Sequence, residues 1–379
     1  MLLGTMYEVL QQAHSLKLIA GEKNIRRQMT WFHILEDVEQ SSFIRGNELV
    51  FTTGVNCYGD EWLISFVKEL SKNKACGLVI NIGPHIGQIS QHIVDLCEHY
   101  SLPLFTVPWK VRLVDLTRDL SRLIIESERT QHQSEIAMKS AITNPREDNH
   151  ETLFKDTGYR LDSRYCVALL SGFDHARYRD DTIRKIRNHL LQSGDCTVFS
   201  LDCCIVLIYV ESAMEKINKM THSLIILLKQ WYPKTDFYMG VGGNISGISN
   251  VAAGYNQAAC AMRIAQIDKS DCILYDDIGL YKILFAAEDK LALTQFANEI
   301  LGEIIRHDKE HKTSYLEWLN LYINCNCSIQ RASEEAFCHR NTVNYKIRKI
   351  RDLFGIDTNY GEQYAAVMIA FRILKLFDK

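Results

Sequence analysis

A stretch near the carboxyl end of the chain, Phe337 to Phe354, carries residue types that suit contact with nucleic acid. Its apolar residues recur at the spacing of one narrow helical stripe, which predicts an amphipathic helix with that stripe against a core. They are Val343, Ile347, Ile350 and Phe354. The other faces offer Arg, Lys, Asn, Thr and Tyr. Arg can bind guanine O6 and N7 together, Asn can pair with adenine N6 and N7, and a Thr methyl can touch a thymine methyl.

The residues just before this stretch, Ser328 to Phe337, predict a shorter helix whose first turn Ser328 can cap. Only Cys338 and His339 then remain for the corner, and two helices joined so closely are typical of a helix-turn-helix. The residues expected to contact DNA are His339, Arg340, Asn341, Thr342, Asn344, Tyr345, Lys346, Arg348, Lys349 and Arg351. The early ones are expected to meet base edges, and Arg348, Lys349 and Arg351 to meet phosphates. The alternative is an amphipathic surface helix with a solvated basic face.

The sequence around this pair of helices resembles one bacterial family. The run HRNTVNYKIRKIRDLFGID, with SIQRA upstream and AAVMIAFRILKLF downstream, is similar to the carboxyl-terminal helix-turn-helix of the PucR family of transcriptional regulators. The family pattern usually has Arg where this chain has Lys346, a change that keeps the charge but loses the bidentate fork. The resemblance implies a regulator that binds double-stranded DNA.

Composition limits how the chain can bind DNA. The formal net charge of −3 excludes a generally basic surface, so contact must come from a local patch, here the basic residues within 340–351. A patch this small binds weakly as a single copy, so a homodimer or higher homo-oligomer is expected. The 12 scattered cysteines, with no signal peptide and only short apolar runs, predict reduced thiols, no membrane span and a cytoplasmic location.

The first 112 or so residues alternate between strand-like and helix-like runs, which predicts a mainly parallel sheet. The expected strands are Glu48–Gly54, Gly77–Ile82 and Leu104–Val107, and the expected helices are Thr5–His14, Asp60–Lys72 and Ile89–Tyr100. The segments FIRGNELVFTTG, LVINIG and LPLFTVP resemble the amino-terminal domain of the same family, which implies a part that senses an effector.

Ligands of parallel sheets tend to lie outside the carboxyl ends of the strands. The residues expected to hold a small polar metabolite there are Arg45, Glu48, Thr52, Thr53, Gly54 and Asn81. The alternative is that Thr52, Thr53 and Gly54 are only a strand exit and that Arg45 and Glu48 form a structural ion pair. No phosphate-binding loop is expected, because the segment GPHIG lacks the required Lys and glycine spacing.

A single long helix is predicted from Leu113 to Ala141. The apolar spacing of its first half favours a short dimer seam, formed by Leu113, Leu116, Leu120, Leu123 and Ile124. Its second half is more polar and predicts a connector. The polar, turn-forming residues 144–150 then predict a linker.

The middle region predicts a strand at Tyr165–Leu170, a helix at Asp181–Gln192 and a hairpin of Cys196–Ser200 with Cys204–Val210. A helix at 212–231, a strand at Phe237–Val241 and a helix at 247–266 follow, and this order resembles the family's GGDEF-like domain. A working cyclase needs paired carboxylates at the hairpin to hold metal ions. The chain has Asp202 as its one acid there, so a non-catalytic domain without cofactor or metal is expected. The scattered cysteines also lack zinc-site spacing.

The last segment predicts helices at Leu291–Arg306 and Tyr315–Asn324 and a closing helix at Gln363–Phe377. The fold expected is a multidomain α/β plus all-α protein: an α/β sensory domain at 1–125, a connector at 126–150, an α+β degenerate GGDEF-like domain at 151–288 and a helix-turn-helix domain at 289–379. The function expected is an effector-responsive regulator of nitrogen, purine or amino-acid metabolism genes, and not an enzyme. The alternatives are a nucleotide cyclase-like or other enzyme with an appended helical domain, and a signalling adaptor that no longer binds DNA.

Overall fold

The computed structural model describes residues 1–145, 150–155, 157–173, 176–190 and 196–377. Residues 146–149 of the predicted linker and 191–192 of a predicted helix lie outside this range. The chain divides into two compact units, Met1–Asp236 with Asn244–Tyr255, and Phe237–Gly243 with Asn256–Lys379. Within the described ranges, every helix is too short or too polar to span a lipid bilayer.

The amino-terminal part is built on a five-stranded sheet in the order β1-β5-β4-β3-β2. Its strands are β1 Lys17–Ala20, β2 Trp31–Ile34, β3 Glu48–Thr52, β4 Gly77–Ile82 and β5 Leu104–Pro108. Strands β2 to β5 pair in parallel, and β1 pairs antiparallel with β5. The predicted mainly parallel sheet is confirmed.

Helices cover both faces of this sheet. They are α1 Leu3–His14, α2 Asp60–Lys72, α3 Gln91–His99 and α4 Leu113–Thr143. Successive residues of β3 point to opposite faces. Accordingly Val50 packs with residues of α2 and α3 such as Phe66, whereas Phe51 packs with residues of α1 and α4 such as Leu3 and Leu120. Strands this apolar on both sides are typical of parallel sheets covered by helices.

The apolar stripe of α4 belongs to the core of its own domain. Leu116 and Leu120 are fully buried and Ile124 is 2% exposed, all packed in one cluster with α1 and the sheet. The expectation of a dimer seam there was wrong, because heptad-like spacing fits a helix on a sheet as well as a coiled coil. The second half of α4 is also packed: Ala137 and Met138 are fully buried, so it is more than a solvated connector.

The rest of the first unit contains strands β6 Arg164–Ser171, β7 Cys196–Leu201 and β8 Cys204–Val210, and helices α5 His150–Phe154, α6 Ala176–Leu190 and α7 Met214–Trp231. Strand β8 pairs antiparallel with both β6 and β7, which confirms the predicted hairpin. In the second unit β9 Tyr238–Val241 pairs in parallel with β11 Cys272–Leu274. The short strand β10 Ile245–Ser246 belongs to the first unit, where it pairs antiparallel with β6, and α8 Val251–Asp268 follows it in sequence.

The carboxyl-terminal part is helical. Its helices are α9 Tyr281–Ala286, α10 Lys290–His311, α11 Tyr315–Asn324, α12 Ile329–Glu335, α13 Arg340–Phe354 and α14 Gly361–Phe377. One core joins α9, α10, α11, α13 and α14, with Leu301, Leu319, Ile350 and Ala370 at its centre. Helix α12 packs in a smaller cluster, through Ala332. Helix α10 runs to His311, beyond the predicted end, and Asp308 within it accepts hydrogen bonds from the backbone N–H groups of Tyr315 at 2.9 Å and Leu316 at 2.8 Å. The fold is thus mixed α/β with an all-α end.

Candidate nucleic-acid interface and ligand site

The two helices of the predicted motif, α12 and α13, are joined by a short turn. Ser328 caps α12, as predicted, since its Oγ accepts a hydrogen bond from the N–H of Arg331 at 3.3 Å. The turn begins earlier than predicted, at Ala336, and Phe337 takes a left-handed conformation with φ of 50° and is 97% exposed. The N–H of Cys338 closes the turn by donating to Ser333 O at 3.0 Å.

Helix α13 is held to its neighbours by the stripe expected from its sequence. Val343 is fully buried against Tyr322 and Ala332, and Ile350 is 1% exposed within the core of the helical domain. Ile347 and Phe354 are partly buried at the edges of the same clusters. The buried stripe therefore fixes which face of α13 is turned outward.

The outward face carries most of the predicted DNA contacts. The exposed residues are His339, Arg340, Asn341, Thr342, Asn344, Tyr345, Arg348 and Arg351. His339 is the N-cap, and its Nδ1 accepts from the N–H of Asn341 at 3.2 Å. The start of α13 thus presents Arg and Asn side chains to the outside of the helical domain.

Three cations of α13, two lysines and one arginine, have partners within the protein. Lys346 Nζ lies 5.2 Å from the centre of the Tyr315 ring, and Lys349 Nζ lies 5.9 Å from that of Tyr345. Both lysines are partly buried, and Arg351 Nη1 lies 3.9 Å from Asp357 Oδ2. Lys346 faces α11, so it is the predicted contact that this geometry favours least.

The predicted ligand residues fall into two groups at opposite ends of β3. Arg45 and Glu48 lie at the amino end, where the Glu48 carboxylate accepts from the Arg45 backbone N–H at 2.7 Å and lies 3.4 Å from His33 Nε2. Thr52, Thr53 and Gly54 lie at the carboxyl end. Strand β3 spans the five residues Glu48–Thr52, so four steps of about 3.3 Å separate its two ends by about 13 Å. The structure does not bring the two groups together.

Glu36, which was not predicted from the sequence, contacts the residues at the carboxyl end of β3. Its carboxylate accepts hydrogen bonds from Thr52 Oγ1 at 3.0 Å, from Thr53 N and Oγ1 at 2.9 and 2.7 Å, and from the N–H groups of Gly54 at 3.0 Å and Val55 at 3.3 Å. Glu36 lies two residues after β2, a strand of four residues. Had β2 been predicted as a parallel strand, Glu36 would have been expected at the carboxyl edge of the sheet.

Two further features shape this end of the sheet. Gly54 has φ of +71°, and a Cβ there would lie 2.3 Å from Ile86 Cδ1, so the turn requires glycine. Asn81, 2% exposed, follows Ile80 on β4, and Ile80 is the register partner of Thr52. Asn81 therefore lies at the same edge as Thr53, and its Nδ2 is 3.5 Å from Pro108 O.

The hairpin between β7 and β8 turns at Asp202, which has φ of 52°. Arg179 donates to the backbone O of Asp202 at 2.8 Å, and burial raises the pKa of the neighbouring Tyr255 to about 12. Within the described ranges, no cluster of three or more His, Cys, Asp or Glu side chains is arranged to hold a metal ion. A single carboxylate at this turn cannot form the paired metal site of a cyclase.

Comparison with known families matches three segments of the chain. Residues 8–124 match the purine catabolism regulatory protein-like family, residues 144–264 match the GGDEF-like domain, and residues 315–373 match the PucR C-terminal helix-turn-helix domain. The three matches follow one another along the chain in that order and together cover most of it.

Three curated proteins of Bacillus subtilis are similar to parts of the chain. The proline-responsive transcriptional activator PutR is 29% identical over 126 residues, 32% of this chain and 31% of that protein. The DNA-binding transcriptional activator AdeR is 22% identical over 38% of this chain and 35% of its own. The purine catabolism regulatory protein is 24% identical over 44% and 32%. The chain thus aligns with about a third of the length of these relatives.

Proposed function

Because the chain belongs to the PucR family of transcriptional regulators, we propose that it binds double-stranded DNA through α13 and that a small molecule controls this binding. The observation that carries the proposal is the orientation of α13, whose apolar stripe is buried while its Arg and Asn side chains project outward from its start. A second helix presented in this way fits the major groove.

The geometry supports different roles along α13. Arg340 and Asn341, at its exposed start, are suited to read base edges, with His339, Thr342, Asn344 and Tyr345 beside them. Arg348, one turn or more further on, is suited to meet a phosphate, and Lys349 and Arg351 accompany it after leaving their contacts with Tyr345 and Asp357. Lys346 is assigned to packing on Tyr315.

We propose a homodimer as the binding species, since one α13 offers few phosphate contacts. The regulated genes are proposed to serve nitrogen, purine or amino-acid metabolism, supported by relatives named for their response to proline and for purine catabolism. The effector is proposed to be a small polar metabolite bound at Thr52, Thr53, Gly54 and Asn81. Arg45 and Glu48 are left out of that site, because they lie at the other end of β3. A cytoplasmic location follows from this function.

The proposed domains are a sensory domain at 1–125, a connector at 126–150, a GGDEF-like domain at 151–288 and a DNA-binding domain at 289–379. The GGDEF-like domain is proposed to be non-catalytic because its hairpin turn offers Asp202 as the acid where a cyclase needs two. Incubation with GTP or ATP and Mg²⁺ tests this. Formation of a cyclic product would support the enzyme alternative, which the regulator relatives do not favour.

DNA binding is tested by fluorescence anisotropy with the gene's own upstream region. Wild type is expected to bind specifically, and Asn341→Ala is expected to cost about 1–3 kcal/mol on the specific site. Lys290→Ala is the matched control, because Lys290 is an exposed residue of α10 in the same domain but outside the motif. Failure of wild type to bind any duplex at low salt would contradict the proposal and favour an adaptor.

A further inference from the structure

The five groups that donate hydrogen bonds to Glu36 together form a receptor for one carboxylate. Oε1 accepts from Thr53 N and Oγ1, and Oε2 accepts from Thr52 Oγ1 and from the N–H groups of Gly54 and Val55. We propose that this receptor, which we name the β3 carboxylate site, binds the carboxylate group of a small metabolite, and that Glu36 occupies it until that ligand displaces it. This inference rests on the proposed effector function and specifies its ligand class.

The donors fit a planar, singly charged group. They are distributed over two oxygen atoms, which matches a carboxylate, and all five are neutral backbone N–H or hydroxyl groups. Consecutive backbone N–H groups in such a turn form an anion-binding concavity without a cationic side chain. A dianionic phosphate would gain less there, because its second charge meets no opposite charge among these donors.

The receptor is fixed, while its occupant is a half-buried side chain next to an exposed stretch of chain. Thr52 is fully buried at the end of β3, and Ile86 packs on Gly54 where the turn requires glycine. Glu36 follows the buried Leu35, and the segment after it contains the buried Ser41 and the exposed Phe43, 70% accessible to solvent. The receptor therefore keeps its shape when the Glu36 side chain leaves, and the exposed part of this segment can carry the signal.

A tethered carboxylate competes at an effective concentration in the millimolar range. A free carboxylate must overcome this competition in wild type but not in Glu36→Ala, where the donors stay behind without an acceptor. The emptied site should therefore show higher affinity for small carboxylates than the wild-type site.

The test is thermal unfolding of the full chain in sodium acetate against sodium chloride of equal ionic strength. We expect Glu36→Ala to unfold at a lower temperature and to regain at least about 3 °C in acetate, with a smaller gain in wild type. Glu39→Ala, which removes an exposed glutamate of the same segment, should behave as wild type. Phosphate stabilises folded proteins non-specifically, so its effect is also compared with that on wild type, and its excess in Glu36→Ala should be smaller than that of acetate.

Equal effects of acetate and chloride on Glu36→Ala would overturn the proposal, and so would equal gains from acetate in all three proteins. An excess gain over wild type that is larger in phosphate than in acetate would also overturn it. If Glu36→Ala does not fold in chloride, recovery of folded protein in acetate supports the site and no recovery refutes it. Anisotropy on the upstream DNA is measured separately in wild type. If acetate does not stabilise Glu36→Ala but wild type binds DNA, the carboxylate site alone is rejected. If acetate stabilises Glu36→Ala but wild type does not bind DNA, the regulator function alone is rejected.

Discussion

The exposed face of α13 predicts how DNA affinity should depend on salt. Arg348 and Arg351 are exposed and Lys349 is partly exposed, so each α13 brings about three cations to phosphates and a dimer about six. Each phosphate contact contributes about 0.9 to the slope of log affinity against log salt, which gives about 5.4 for wild type. Raising salt from about 50 to about 200 mM should then weaken binding about 1,800-fold.

Arg348→Ala removes about two of these contacts from a dimer and should lower the slope to about 3.6, so that the same salt change weakens binding only about 150-fold. Asn341→Ala should weaken specific binding at every salt concentration and leave the slope unchanged. Anisotropy titrations at four or more salt concentrations, on specific and scrambled duplexes, measure both quantities. An unchanged slope in Arg348→Ala, or an equal change in Asn341→Ala, would refute the assignment of phosphate and base contacts.

Three further predictions concern stability and thiol reactivity. Asp308→Ala should lower stability by about 1–2 kcal/mol in thermal unfolding, because it removes the acceptor for the first N–H groups of α11, whereas Lys309→Ala on the same turn should not. Leu120→Ala should lower stability by about 2–5 kcal/mol and leave unchanged the oligomeric state measured by light scattering. Dissociation of the oligomer without loss of stability would instead support a dimer seam on α4. Iodoacetamide at pH 8 should label the exposed Cys203 first and spare Cys97, since burial raises the pKa of the Cys97 thiol to about 12 and leaves little thiolate there.

Elements with a strong local pattern were predictable from the sequence. Helix α2 begins and ends at the predicted residues, because its apolar residues have a clear helical period. Strand β4 does so too, because it is a short continuous apolar run bounded by turn residues. Strand β2 was missed, since its four residues include His33 and its pairing with β3 is a tertiary feature. The stripe of α4 was identified correctly but assigned to the wrong partner, since spacing shows that a face is apolar and not what covers it.

The same limit applies to the two candidate sites. The exposed face of α13 was predictable because the buried and outward residues lie on one helix, where spacing alone sorts them. The ligand site depends on which strand ends meet, and this the sequence does not show. Arg45 and Glu48 are close to Thr52 in sequence yet lie at the other end of the strand, whereas Glu36, 16 residues from Thr52, contacts it.

The energy of switching limits what kind of effector can act at the β3 carboxylate site. Moving a two-state protein from one state to the other, from about 1:99 to about 99:1, needs about 5.5 kcal/mol of differential binding. Exchanging the Glu36 carboxylate for another carboxylate replaces five hydrogen bonds with five similar ones, so it supplies little of this energy. The difference must come from the rest of the ligand, through contacts that Glu36 does not make, for which the amide of Asn81 at the same edge is suited. Acetate should therefore fill the site in Glu36→Ala without changing DNA affinity. The true effector should fill the site in wild type and also change the affinity for DNA.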